Sequence, residues 1–152
     1  MKRSERLAPV QRVLNGTERE RARDVGAAQQ GLTAAQSRLQ ELQLYHADYV
    51  NGFQKTAMAG RNALALRDFQ LFLGRLEDAI RQQEQIVAQA RQGVAGSTRL
   101  WQSAAQRVKA VETVVDKWQG DERRSAGRLE QKEIDERAQR QPARGTAGRT
   151  EQ

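Results

Sequence analysis

Few side chains in this 152-residue chain have a type and spacing that could do chemistry. Gly26 and Gly31 bracket four residues in the manner of a phosphate-binding loop. Leu32 and Thr33 follow, however, where that loop needs Lys and then Ser or Thr. Without the lysine's charge on the phosphates, the segment is no nucleotide site. His46 is the only histidine, so no second imidazole is available to share a metal. The lack of Cys removes thiolate catalysis, disulfides and Cys-ligated zinc or iron-sulfur sites, and it suits a reducing compartment. Glu77 and Asp78 are adjacent carboxylates, but consecutive helical residues point about 100° apart, and a wet surface does not tune them for acid-base work. The expectation is a non-enzyme with no cofactor and no metal.

The elements that would carry these residues are equally constrained. Hydrophobic residues make up 38% of the chain, with three Phe, two Trp and two Pro, against 30% charged. Ordering a backbone costs roughly 1 to 2 kcal/mol per residue, so a thick core would be poorly supplied. Either the chain is disordered, or its apolar residues form a narrow stripe. From Pro9 to Phe53 and from Leu64 to Arg140 it is free of further Pro and rich in Ala, Gln, Arg, Glu and Leu, which predicts two long helices. Stepping four and three residues from Phe69 gives Leu73, Leu76, Ile80, Gln83, Val87, Ala90, Val94, Ser97, Trp101, Ala104, Val108, Val111, Val115 and Trp118. Thirteen of these fifteen positions are apolar, which is the period of a helix that pairs along one seam and supercoils left-handedly. Val25, Ala28, Leu32, Ala35, Leu39, Leu42, His46, Tyr49 and Phe53 follow the same rule upstream, with His46 as a polar residue that sets register.

Two seams joined by a short connection meet economically within one chain. The fold expected is therefore all-α, a long antiparallel two-helix coiled-coil hairpin spanning 1–140 as a single domain. Helix one runs from about 9 to 56, the turn from about 57 to 63 with its reversal near Met58 to Asn62, and helix two from about 64 to 140. At 1.5 Å per residue these helices would be roughly 70 and 110 Å long. With the turn centred near residue 61, Trp118 lies opposite the N-terminus and the C-terminal helix overhangs. Residues 141–152 are expected to be a disordered tail. Leu7, Val10 and Leu14 keep a similar spacing, but the phase breaks at Glu18 and Arg21, where a local irregularity is expected. Eight glycines within the helices, each costing about 1 kcal/mol relative to Ala, make the coil modestly stable and bent.

Apolar residues off the seam indicate partners. Phe72, Ala79 and Ile86 recur every seven residues beside it, and with Tyr45 they form either an aromatic interface patch or the edge of a widened core. Residues 1–23 hold seven basic and three acidic side chains, so +4 of the net +7 is concentrated there. Glu5, Glu18 and Glu20 interrupt that block, which does not favour nucleic acid. No apolar run marks a signal peptide or a membrane span, and the expected location is cytoplasmic.

YHADY before the turn, DFQLFLGRLEDAI after it and RLEQKEIDERAQR near the C-terminus resemble the FliJ family of flagellar export proteins and its type III secretion relatives, over roughly Leu7 to Arg140. Glu130, Gln131, Lys132, Asp135 and Glu136 match the family's Gln-Lys-x-x-Asp-Glu signature, while Arg137 stands where the family often has an apolar residue before Ala138. The resemblance implies a stalk-like linker, similar to the central stalk of rotary ATPases, between a hexameric export ATPase and the cytoplasmic domain of an export-gate membrane protein. It also implies promotion of ring assembly and activity, escort of export chaperones, and a peripheral position at the cytoplasmic face of the inner membrane. Export-gate binding would fall to Leu42, Tyr45, Tyr49, Phe72, Leu76 and Ala79, several of which the seam also claims. ATPase-ring binding would fall to Arg123, Arg124, Gln131, Lys132, Asp135 and Glu136. The residues themselves leave a second class open: a structural or DNA-associated coiled-coil protein that dimerises through parallel helices.

Overall fold

The computed structural model describes residues 1–57, 60 and 63–140. A short 3-10 turn, Glu5–Leu7, leads into helix α1, Ala8–Ala57, and a second helix, α2, spans Ala63–Arg140. The two form an all-α helical hairpin. Pro9 falls in the first turn of α1, where a backbone N–H would have no helical partner and its absence costs nothing. Lys55 closes α1, and Arg137 and Arg140 close α2, where cations face the negative end of the helix dipole. In the connection, Gly60 has φ +82°, a left-handed conformation that a Cβ would penalise. The rest of the expected reversal, and the tail expected over 141–152, lie outside the described residues.

The chain divides into two compact units. One is Thr17–Ala105; the other joins Met1–Gly16 to the part of α2 that begins at Gln106. In the first unit α1 and α2 run antiparallel, because Phe53 stacks on Phe69, His46 lies near Glu77, and Trp101 reaches back to Glu18. All nine expected seam positions of α1 and all fifteen of α2 are half-buried or buried. The five buried hydrophobic residues, Ala35, Leu76, Val87, Ala104 and Val115, all stand on the seam. No side chain among the described residues reaches full burial. This follows from geometry: a helix with one neighbour can hide only the stripe that faces it.

The expected irregularity at Glu18 and Arg21 is absent. Helix α1 is continuous, and the half-buried residues Leu7, Gln11, Leu14, Glu18, Arg21, Val25 and Ala28 hold the four-three alternation without a break. Val10 is off the seam and exposed, with Gln11 in its place. Of the polar side chains at these positions, Glu18 is answered across the seam and Arg21 within its own helix. The Trp101 indole N–H donates to Glu18 Oε1 at 2.8 Å, and Arg21 pairs with Asp24 at 3.8 Å. Further along, Gln83 Nε2 donates to the Ala35 carbonyl at 3.0 Å, so the polar break in the α2 stripe also crosses to α1. His46 Nε2 lies 3.4 Å from Glu77 Oε1. The pairs that cross between α1 and α2 add little attraction but oppose a slip of register, since sliding by one turn would strand them against apolar groups.

None of the helical glycines is needed for close packing. At Gly93 a Cβ would meet nothing within 4 Å. Gly93→Ala is therefore expected to raise stability by about 0.5–1 kcal/mol, seen as a higher thermal midpoint with an unchanged circular dichroism spectrum.

Candidate interaction surfaces

Three surfaces are built from residues that do something other than close the seam. The first is an aromatic cluster in Thr17–Ala105. Tyr49 lies between Phe69 at 5.1 Å and Phe72 at 4.6 Å, and Tyr45 meets the Phe72 ring edge-on at 6.1 Å. The helical period aligns Tyr45 with Tyr49 on α1, four residues apart, and Phe69 with Phe72 on α2, three apart, so the antiparallel pairing converges all of them. Of the six residues assigned to gate binding, Tyr45 is 51% exposed and Phe72 36% exposed. Leu42, Tyr49 and Ala79 are half-buried, and Leu76 is buried at 6%. The cluster thus presents Tyr45 and Phe72 to solvent, while Leu76 is committed to the seam.

A second surface is the C-terminal stretch of α2. Every residue from Arg123 to Arg140 is exposed. Arg124 pairs with Asp121, and Gln131 Nε2 donates to Asp135 Oδ1 at 3.1 Å. The helical period groups Arg124, Gln131 and Asp135 on one face but sets Arg123, Lys132 and Glu136 away from it, so the six residues assigned to ring binding do not share a face. Leu129 and Ile134, 62% and 56% exposed, are apolar residues here that the seam pattern does not reach. Their signal in the sequence was simple: two large aliphatics beyond Trp118, where the four-three pattern ends.

The third surface is a strap at the N-terminus. The Ser4 hydroxyl donates to Glu122 Oε2 at 2.7 Å and its backbone N–H to Glu122 Oε1 at 3.1 Å, so one carboxylate is held by both donors of a single residue. Ser4 is the one buried polar residue among those described. The Arg3 guanidinium sits 4.2 Å from the centre of the Trp118 ring, a cation-π contact, which realises the expected opposition of Trp118 and the N-terminus. The Ser4 hydroxyl first, then its N–H, with smaller help from Lys2 and Arg3, hold the Glu122 pKa below the ordinary carboxylate value against the opposing effect of desolvation. A carboxylate depressed in the folded state stabilises that state above its unfolded pKa, and the contribution disappears as pH falls through the folded value. Hydrogen exchange at the Ser4 amide should therefore be slow at neutral pH and lose its protection in acid, below the usual carboxylate range. Glu122→Gln should flatten that dependence.

Among the described residues no group of His, Asp or Glu is placed to hold a metal ion. No described helix is long and apolar enough to cross a membrane. Sequence comparison agrees with the motifs near the turn and the C-terminus. The family described as Flagellar FliJ protein matches residues 2–147. A relative named Flagellar FliJ protein, from Escherichia coli strain K12, is 31% identical over 119 residues, covering 78% of this chain and 81% of its own length. No solved structure matches the chain significantly. With a match spanning nearly its whole length and a helical hairpin that carries the motifs in place, the chain belongs to the FliJ family of flagellar proteins.

Proposed function

We propose that this chain is a flagellar protein-export component that acts without catalysis of its own, as a stalk-like linker between the hexameric export ATPase and the export gate. In this reading it promotes ATPase ring assembly and turnover and escorts export chaperones, working in the cytoplasm at the face of the inner membrane. The observation that carries the reading is the presence of two exposed surfaces of different chemistry on one hairpin. The aromatic cluster offers rigid, partly desolvated rings of the kind that anchor protein interfaces. The charged helix at 123–140 offers solvated groups suited to fast, exchangeable electrostatic contact. Gate binding is assigned to Leu42, Tyr45, Tyr49, Phe72, Leu76 and Ala79, with Tyr45 and Phe72 as its exposed anchors. Ring binding is assigned to Arg123, Arg124, Gln131, Lys132, Asp135 and Glu136.

The test is to add the purified protein to its cognate export ATPase. Increased ATP turnover and ring assembly are expected, and no effect on either would overturn the linker reading. Phe72→Ala combined with Tyr45→Ala should leave helicity nearly intact and abolish retention of the gate's cytoplasmic domain. The alternative, a structural or DNA-associated coiled-coil protein that dimerises through parallel helices, would need each seam to be covered by a second chain and not by the other helix of the same one. A crosslink between Val50 and Leu73 within one monomer is the corresponding check.

A further inference from the structure

The N-terminal strap belongs to the unit that joins Met1–Gly16 to α2 from Gln106 onward. The seam of this unit is thin. Val115 is its one buried hydrophobic residue among those described, while Leu7, Gln11 and Leu14 on one side and Val108, Val111 and Trp118 on the other are half-buried. Gln11 is polar, so its place in the stripe adds little apolar burial. Against so thin a seam the contacts of Ser4 and Arg3 weigh more. Ser4 stands where a cap would, yet its side chain makes no cap bond. Both its donors turn instead to Glu122, at 2.7 and 3.1 Å, and Arg3 lies over Trp118 at 4.2 Å. Trp118 and Glu122 are four residues apart, so one face of α2 receives both contacts. At the other end of the segment stands Gly16, where a Cβ would meet nothing within 4 Å. A glycine that packing does not require weakens the helix there by about 1 kcal/mol relative to Ala.

We propose that Met1–Gly16 is a releasable arm, and that the Ser4–Glu122 and Arg3–Trp118 contacts are the latch that holds it against α2. The latch is concentrated on one carboxylate. When Glu122 loses its charge, two charge-assisted bonds weaken at once. The charged groups around it are Lys2, Arg3 and Glu5 on the arm and Asp121 and Arg123 on α2, of which Asp121 is already paired with Arg124. Ser4 first, then Lys2 and Arg3, hold the Glu122 pKa below the ordinary carboxylate value. The arm is therefore closed at neutral pH and opens as pH falls through the folded value. Release spreads along the arm to Gly16, because a short helical stretch without tertiary support frays in water. It uncovers Val111, Val115 and Trp118, the stripe of α2 that the arm hides.

The experiment is amide hydrogen exchange of the full-length protein at neutral pH, read over residues 4–7, over 8–16 and, as an internal control, over 25–50. Ser4→Ala and Glu122→Ala should each speed exchange across 8–16 by about tenfold, the size expected for losing a hydrogen bond to a charged group, and leave 25–50 unchanged. The double variant should do no more than Glu122→Ala alone, because both substitutions remove the same contact. Ser4→Thr keeps both donors and should retain the protection. Unchanged exchange over 8–16 in both single variants would overturn the latch. Acceleration confined to 4–7 would mean that only the terminus frays, and equal acceleration over 25–50 would mean a general loss of stability. Either result would overturn the releasable arm.

Discussion

Leu76→Ala is expected to cost about 2–4 kcal/mol of stability, the usual range for truncating a buried leucine, and to lower the thermal midpoint by about 5–15 °C. Leu76 is only 6% exposed and is one of five buried hydrophobic residues, all on the seam, so its loss leaves a void in that stripe. A two-helix contact has no second layer to relax into the gap. The control is Leu129→Ala at a 62% exposed position, where a change within about 0.5 kcal/mol is expected. Chemical denaturation of both variants decides the matter. Equal destabilisation would show that burial along the seam is not what holds the hairpin. The result also bears on function: loss of gate binding by Leu76→Ala would report unfolding as readily as a lost contact. Tyr45 and Phe72 are the cleaner probes.

Ending the chain after Ala126 should abolish stimulation of the export ATPase while moving the thermal midpoint little. The removed part of α2 is exposed at each described position, and its side-chain hydrogen bonds, Gln131 to Asp135 and Arg128 Nε to the Arg124 carbonyl at 3.4 Å, are local to α2. It therefore contributes helix but no buried seam. Glu122 and Trp118 are retained, so the strap that joins Ser4 and Arg3 to α2 survives. The measurement pairs ATP turnover with thermal unfolding of the truncated protein. Full stimulation by the truncated chain would remove Gln131, Lys132, Asp135 and Glu136 from the ring-binding assignment. A large fall in stability would show that the segment has a packing role that its exposure does not suggest.

The heptad stripe on α2 was legible residue by residue, down to Gln83 and Ser97 as its polar interruptions. Polarity conceals phase: Glu18 and Arg21 read as a break because a stripe is recognised by its apolar members, yet they occupy seam positions all the same. Glu18 is tolerated there because the Trp101 indole, 83 residues away, supplies its hydrogen bond. The strap has no signal in the sequence, since Ser4 and Glu122 are 118 residues apart and neither is unusual where it stands. A third case is the groove lined by Asp48, Tyr49, Phe53, Asp68 and Phe69, whose carboxylates are ordinary surface residues in the sequence and which only the pairing of α1 with α2 brings together.

Sequence alone determined that the chain forms two helices and which face of each is covered, because the 3.5-residue period is a local property of each segment. It also carried the motifs of the FliJ family. Only the tertiary structure decided which polar groups cross the seam, and that Tyr45 and Phe72 keep an open edge while Leu76 does not. Those outcomes depend on the register between two segments far apart in the chain. The energy that sets that register comes from contacts that neither segment contains by itself.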